Sequence, residues 1–171
     1  GYPTAWGTIT NYVKYKNFDL TFDVQYSWGN DILNLNLHSS EDRQDLANSY
    51  ATVLNAWTPD NQDTMIAQVR NTRAGYVTNV DTHWVQDASF IRGQNFVIGY
   101  TFGPEFLERL KLSNMRIYGS AQNFFLITKD ELLGDPEVEP LLGGPYVAAQ
   151  GIKWHEFPKP TTFTIGLQIS L

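Results

Sequence analysis

TTFTIGLQISL, residues 161–171, is the stretch of sequence that decides the fold. Its apolar side chains alternate with polar or small ones, which is typical of a β-strand with one apolar face. FDLTFDVQYSW, residues 18–28, alternates in the same way. Three further segments alternate less regularly, and an irregularity at Arg92 and Gly93 predicts a β-bulge. The sequence therefore predicts five strands, at about residues 8–16, 18–28, 86–102, 114–127 and 160–171.

Composition narrows the class of protein. The chain has 171 residues, enough for one domain, and a formal charge of −6, which argues against a nucleic-acid partner. It holds no cysteine, which excludes disulfide scaffolds and Cys-ligated zinc sites. No stretch provides the roughly 20 consecutive apolar residues of a membrane-spanning helix. Transmembrane strands need only about 10 residues with alternating polarity, so a mean hydropathy of −0.31 is compatible with a membrane β-barrel.

The connections between the predicted strands differ strongly in length. Lys16 and Asn17 predict a tight hairpin, whereas the longest connection follows Trp28. Outer-membrane barrels combine short periplasmic turns with long extracellular loops. We therefore expect residues 30–81 and 129–156 to be extracellular and the hairpin to be periplasmic.

Two short helices are expected in the connections. The first lies in the long outer loop, with Ser39 and Asp42 as its capping pair and Pro59 as its stop. Its apolar face is formed by Leu46, Tyr50, Val53, Leu54 and Trp57. The second starts at Pro104, because proline suits the first helical position. It is expected to be periplasmic and to turn three residues toward the barrel rim: Phe106, Leu107 and Leu110.

Five strands are too few to close a barrel, because about eight enclose the smallest packed interior. An open sheet edge in lipid would leave backbone groups unpaired, at several kcal/mol each. We therefore expect other parts of a longer polypeptide to complete the sheet. The opening Gly1-Tyr2-Pro3 is interpreted as a cut into such a chain.

Five blocks of sequence follow one another in a recognisable order: YKNFDLTFDVQYSWGNDILN (15–34), LNAWTPDNQDT (54–64), VQDASFIRGQNFVIGYTF (85–102), LSNMRIYGSAQNFFLITK (112–129) and FPKPTTFTIGLQISL (157–171). Together they resemble the C-terminal region of SusC/RagA-type TonB-dependent outer-membrane transporters, over nearly the whole chain. The resemblance implies that residues 1–171 form an all-β, antiparallel transmembrane β-barrel segment. It would be the C-terminal part of a large, plugged barrel of about 22 strands, with long extracellular loops and short helices in the connections.

The resemblance also implies a function. The chain would be part of a nutrient importer in the outer membrane of Bacteroidetes, which takes up oligosaccharides or oligopeptides and is no enzyme. The implied partners are the remainder of the barrel and its plug, a SusD-like surface lipoprotein as lid, TonB through an N-terminal part, the barrel-assembly machinery and membrane lipid. The plug domain and the TonB box match nothing in this chain.

The last strand is interpreted as the barrel-assembly strand. Its apolar positions are Phe163, Ile165, Leu167, Ile169 and Leu171. The family tends to finish on an aromatic residue, whereas Leu171 stands at this position.

Side chains of several kinds are candidates for functional contacts. We expect one set to line a wet lumen or to contact the plug: Asp19, Thr21, Asp23, Gln25, Gln122 and Gln168. Tyr146 and Trp154 lie in a loop, where a ring can stack on a sugar or pack against a peptide, although packing within the loop explains them equally well. An aromatic girdle at the membrane interface is predicted from the cluster Tyr26, Trp28, Phe124, Phe125, Trp154 and Phe157, with Trp154 as an exception because it lies in the loop.

Acidic residues crowd one connection: Asp130, Glu131, Asp135, Glu137 and Glu139. Their spacing does not match a calcium-binding loop, so we interpret them as a solvated loop, with a structural calcium ion as the alternative. The histidines His38, His83 and His155 are too scattered to form a metal motif. Asp19 and Asp23 lie about 13 Å apart along a strand, too far for paired catalytic carboxylates. We expect no enzyme, no resident metal and no cofactor.

A secreted all-β carbohydrate-binding module is the alternative function. In such a module two sheets bury their apolar faces against each other, and loop aromatics grip the sugar. Five strands offer only one apolar face. That count and the ordered resemblance favour the transporter.

Overall fold

The computed structural model describes residues 2–41, 48–69, 80–129, 132, 134–137, 151–154 and 157–171. The chain divides into two compact units. The sheet unit comprises residues 3–29, 89–129 and 158–171, and the connection unit comprises residues 1–2, 30–88 and 130–157.

Eight strands and two α-helices are described. The strands are β1 (Ala5–Tyr15), β2 (Phe18–Trp28), β3 (Asp31–Asn34), β4 (Val85–Asp87), β5 (Phe90–Thr101), β6 (Asn114–Thr128), β7 (Ile152–Lys153) and β8 (Thr162–Ser170). The helices are α1 (Leu35–Glu41) and α2 (Pro104–Leu110), and two 3₁₀ turns cover Ala51–Asn55 and Thr82–Trp84.

The sheet unit is one five-stranded antiparallel sheet in the order β1-β2-β5-β6-β8. The predicted hairpin joins β1 to β2, with Lys16 in the left-handed region at φ 53°. The backbone N–H of Thr101 donates to the Asn17 carbonyl at 2.9 Å, which attaches the hairpin to the end of β5. The prediction of an all-β antiparallel fold with short helices in the connections is confirmed.

Register shows that the two faces of this sheet differ in polarity. Residues paired across antiparallel strands point to the same face. One such row consists of Val13, Leu20, Ile98, Gly119 and Ile165. The next row, on the opposite face, consists of Lys14, Asp19, Gly99, Tyr118 and Gly166. We call these the apolar face and the polar face.

The predicted bulge lies in β5. Its pairing with both neighbouring strands shifts between Gly93 and Asn95. Gly93 has no side chain, and a Cβ there would collide with the Phe125 ring. Glycine therefore permits the close approach of the neighbouring aromatic residues at the bulge.

A small sheet organises the connection unit. β3 pairs antiparallel with β4 and parallel with β7, and Ile32, Ala88 and Leu132 form a buried cluster. Asn34 is almost fully buried, and its side-chain oxygen accepts from the backbone N–H of Leu37 at 3.2 Å. Asn34 thereby caps α1, because this bond satisfies one of the free N–H groups of the first turn.

The first predicted helix is wrong in its position. Helix α1 ends at Glu41, and its cap is Asn34 in place of Ser39 and Asp42. Asp42 and Leu46 lie outside the described residues. The remaining residues of the expected apolar face fall in or beside the Ala51–Asn55 3₁₀ turn: Tyr50, Val53, Leu54 and Trp57.

The second predicted helix agrees with the structure at its start. Helix α2 starts at Pro104 as predicted and buries Leu107, while the Phe106 ring stacks on Phe102 at 4.8 Å between centroids. Leu110 is exposed.

The strand expected at 86–102 is divided, because Val85–Asp87 belongs to the small sheet and β5 begins at Phe90. Within the described residues, every helix is too short or too polar to cross a membrane.

In the sequence block 54–64, the Asn61 side chain bonds the backbone at the end of the Ala51–Asn55 3₁₀ turn. The Asn61 amide donates to the Asn55 carbonyl at 3.2 Å and to the Ala56 carbonyl at 3.3 Å. Its backbone pairs with Thr58 in an isolated bridge. These bonds occupy carbonyls at the end of the 3₁₀ turn, so this part of the block has a structural role.

Candidate functional site

The candidate site is the polar face of the sheet unit. Register places six predicted lumen residues on this face: Asp19, Thr21, Asp23, Gln25, Gln122 and Gln168. They share it because β2, β6 and β8 each alternate with the same phase relative to β5. That they contact a lumen or a plug stays a prediction.

The centre of the polar face is an ion pair that spans a whole strand. Arg116 on β6 donates from Nε to Asp19 Oδ1 at 3.0 Å and from Nη2 to Asp19 Oδ2 at 2.5 Å. β5 lies between the two partners, and Gly99 is the β5 residue beneath the guanidinium. A Cβ at Gly99 would overlap Arg116, so the missing side chain is what lets the two charges meet.

The same device recurs one strand further along. The Tyr118 ring lies over Gly166 of β8, where a Cβ would overlap the ring. Arg116 lies 5.2 Å from the centroid of Tyr118, a cation–π distance. Two glycines thus allow long side chains to lie flat along the polar face and to hold each other in place.

Asp23 has a separate partner. The Asn95 amide donates to its Oδ2 at 3.3 Å. Its Oδ1 is buried and has no hydrogen-bond partner among the residues that the structure describes. Asp19 and Asp23 therefore bind different groups.

Sequence reasoning found Asp19 and Asp23 but missed Arg116, Gly99 and Tyr118. Alternation alone puts Arg116 on the polar face. What links it to Asp19 is the register across β5, which joins positions far apart in the chain. A glycine opposite an acidic residue was the available signal, but it has meaning only once the pairing is known.

Substituting Gly99 should break the ion pair. In Gly99→Val the new side chain displaces the Arg116 guanidinium, so we expect a loss of about 1.5 to 3 kcal/mol in unfolding free energy, the usual range for a hydrogen bond to a charged group. Gly119→Val is the matched control: Gly119 pairs with Ile98, next to Gly99, and a Cβ there meets open space. The measurement is the free energy of unfolding in urea for Gly99→Val and for Gly119→Val, each with and without Asp19→Asn.

The outcome depends on coupling between the two positions. Asp19→Asn should cost little in the Gly99→Val background, where the pair is already broken, and its full amount in the Gly119→Val background. Equal costs in both backgrounds would contradict the role assigned to Gly99.

The apolar face carries large exposed side chains. Ile165 is 86% exposed and Phe163 is 76% exposed. Toward the hairpin the face continues in a chain of ring contacts, from Phe18 to Tyr100 at 4.8 Å and from Tyr100 to Phe102 at 5.1 Å. Nothing within the described sheet unit covers this face, so it requires an apolar environment from elsewhere.

The predicted aromatic girdle draws on both units. Tyr26 and Trp28 are exposed at the end of β2, and the rings of Phe124 and Phe125 meet edge to face at 4.9 Å in β6. Trp154 belongs to the connection unit and is 46% exposed. Phe157 is also exposed. Their position at a membrane interface stays a prediction.

The acidic connection is described only in part. Asp135 is buried, its carbonyl accepts from Lys153 Nζ at 2.6 Å, and its Oδ1 accepts from the Glu137 backbone N–H at 3.0 Å. Three members of the calcium candidate lie outside the described residues: Asp130, Glu131 and Glu139. The candidate loop residue Tyr146 and the histidine His155 also lie outside them. Among the described residues no group of three His, Asp or Glu side chains is placed to hold a metal ion.

Comparison with known proteins gives consistent matches. The chain is 33% identical to TonB-dependent receptor P3 of Formosa agariphila over 99% of this chain and 17% of the relative. It is 27% identical to TonB-dependent receptor SusC of Bacteroides thetaiotaomicron over 94% of this chain and 14% of the relative. The chain thus spans less than a fifth of the length of these curated relatives. No family model matches.

Solved structures give the same result for the fold. The RagAB peptide importer in its closed-closed state matches with a TM-score of 0.76 and 24% identity, over 99% of this chain and 17% of that chain. The structure of the RagAB peptide transporter matches with a TM-score of 0.74, over 97% of this chain. The sheet is therefore like one portion of a much larger barrel, and the predicted barrel-segment fold is confirmed.

Proposed function

We propose that this chain is a β-sheet segment of a TonB-dependent receptor of the SusC/RagA type and forms part of the wall of an outer-membrane nutrient importer. The receptor would take up oligosaccharides or oligopeptides. The RagAB peptide importer shares this fold, which supports oligopeptides as one class of cargo. The oligosaccharide class rests on the family resemblance of the sequence alone.

The observation that carries the proposal is the unequal polarity of the two sheet faces. One face exposes Phe163 and Ile165, and the other holds the Asp19–Arg116 ion pair. A barrel wall has this division, because its outer surface meets lipid and its inner surface meets a wet lumen. In a soluble sandwich the exposed apolar face would be buried against a second sheet.

The proposal assigns a side of the membrane to each connection. Residues 30–81 and 129–156 would be extracellular, and the Lys16–Asn17 hairpin would be periplasmic. Short periplasmic turns and long extracellular loops are typical of outer-membrane barrels. The connection unit would then face a SusD-like surface lipoprotein that acts as a lid. Trp154 is an exposed residue of the connection unit.

The remaining partners follow from the same proposal. Lipid would cover the apolar face, the remainder of the barrel would pair with the edges of the sheet, and a plug would occupy the lumen. TonB would act through a part of the receptor outside this segment, and the barrel-assembly machinery would insert it. We propose no catalytic step and no cofactor for the segment, with calcium in the acidic connection as the alternative.

Uptake by living cells tests the function. Deleting the gene of the full-length protein should abolish growth on its cargo as the sole nutrient, and the intact gene should restore it. Oligosaccharide mixtures and oligopeptide mixtures, supplied separately, identify the class of cargo. Unchanged growth on both, with the protein recovered from the culture medium, would favour the secreted carbohydrate-binding module.

A further inference from the structure

A groove lies on the apolar face of the sheet unit, over Gly119 of β6. Its volume is about 350 Å³, and the apolar side chains along it are those of Phe18, Ile98, Tyr100, Ile117 and Ile165. A Cβ added at Gly119 would meet no atom within 4 Å. The groove therefore exists because glycine leaves a gap between Ile98 and Ile165, its partners on the two neighbouring strands.

The gap continues along β6 toward the middle of the strand. Side chains alternate between the faces of a strand, so the next residue of β6 on this face is Ala121. Ala121 is also small, and its partners on the neighbouring strands are the larger Phe96 and Phe163. Two small residues in line between larger ones leave a long, narrow space, the shape of an extended hydrocarbon chain.

A second cavity adjoins the groove at the hairpin end of the sheet. Tyr100 lines both cavities. The second cavity has a volume of about 450 Å³ and is also lined by Asn17, Glu105, Phe106 and Arg109. Its lining thus changes from apolar to polar and charged as it passes from the sheet to α2.

Glu105 and Arg109 provide the second cavity with one negative and one positive group. They lie four residues apart on α2, in its first and last turns. Within the described part of the chain, neither side chain takes part in an ion pair or a hydrogen bond. Both charges are therefore open to a ligand.

We propose that the groove and the second cavity together bind one phospholipid whose headgroup carries a phosphate and an ammonium, as in phosphatidylethanolamine. One acyl chain lies over Gly119 and Ala121. The phosphate accepts from Arg109, whose planar guanidinium suits phosphate oxygens, and the ammonium donates to Glu105. Tyr100 lies between the two parts, and an amphipathic ring is favourable at the level of the headgroups.

The paired charges select this headgroup among the phospholipids. Phosphatidylglycerol offers a phosphate to Arg109 but no ammonium to Glu105. Phosphatidylcholine carries a positive charge but no N–H that could donate to the carboxylate. This lipid site rests on the proposed function, because lipid reaches the apolar face only if the sheet is part of a barrel wall.

Titration of the full-length protein with phosphatidylethanolamine tests the site. The protein is purified in detergent and freed of lipid, and native mass spectrometry then counts the lipid molecules bound. One phosphatidylethanolamine should bind about tenfold more tightly than phosphatidylglycerol or phosphatidylcholine, the factor for one hydrogen bond to a charged group. Equal affinities for the three lipids, or a dimer of the protein in place of the lipid complex, would overturn the proposal.

Variants at the two ends of the site assign the binding. Gly119→Leu fills the groove and Arg109→Gln removes the phosphate donor, so each should weaken the first phosphatidylethanolamine about tenfold. Val13→Phe adds bulk in the row of Gly119 but outside the groove, and Lys14→Gln removes a cation from the polar face. These two controls should bind like the unchanged protein.

The remaining outcomes separate the lipid site from the importer. If Gly119→Leu fails to fold, Arg109→Gln on the exposed surface of α2 still decides. Unchanged binding in Arg109→Gln, with the protein in the outer-membrane fraction, would remove the lipid site and leave the importer standing. Recovery of the full-length protein from the culture medium would contradict both.

Discussion

Deleting β8 from the full-length protein is expected to remove the folded barrel from the outer membrane. β8 pairs with β6 along its whole length, from Ser170 opposite Asn114 to Thr162 opposite Gln122. In lipid the backbone groups of β6 would lose these partners, at several kcal/mol for each unpaired group. The protein should lose its heat-modifiable band on gels and be degraded in the periplasm.

The matched control keeps the strand and changes its polar side chains. Replacing the four polar residues of β8 by alanine leaves the backbone pairing and the apolar positions intact: Thr162, Thr164, Gln168 and Ser170. This variant should retain the heat-modifiable band, because lumen-side changes in a barrel disturb stability little. Normal outer-membrane levels of the protein without β8 would contradict the barrel and support a self-contained soluble module.

Period-two alternation explains how much of the sheet was predictable. In β2 each side chain reports its face directly, and the predicted bounds 18–28 are those of the structure, Phe18–Trp28. The pairing of β2 with β5 was not predictable, because the long connection separates the two strands in sequence. Local patterns carry no information on such partners, so strand order and register emerge only from the folded sheet.

The connection unit was less predictable for the same reason. Strands β3, β4 and β7 have two to four residues, too few for an alternation to be recognised. The helix predicted there is wrong because the apolar residues from Tyr50 to Trp57 lie in and beside a 3₁₀ turn. The Asn61 side chain bonds the Ala56 carbonyl just after that turn. A side chain that bonds the backbone locally can override a helical period.

The polar face shows the same division between local and distant information. Alternation predicted that Asp19 and Asp23 would share a face with Gln122 and Gln168, and register places them there. Their partners Arg116 and Asn95 come from other strands, so the ion pair was beyond local reasoning.

Arginine on the apolar face is expected to destabilise the barrel strongly. Phe22 lies midway along β2, in the row that pairs Phe96 with Ala121 and Phe163. Phe22→Arg should lower the free energy of unfolding in lipid vesicles by about 2 to 4 kcal/mol, the cost of a cation near the bilayer centre. Leu20→Arg and Leu167→Arg, nearer the hairpin end, should cost less, because that cost falls toward the interface.

Neighbouring residues of the polar face supply the controls. Thr21→Arg and Gln168→Arg add the same charge one position away and should change stability little, because their side chains would reach water in the lumen. Single cysteines at these positions, in a full-length protein freed of any other cysteine, add a direct test; the 171 residues themselves hold none. A water-soluble maleimide should label Thr21→Cys and spare Phe22→Cys in outer-membrane vesicles. The reverse pattern, or equal losses for Phe22→Arg and Thr21→Arg, would mean that the apolar face does not meet lipid.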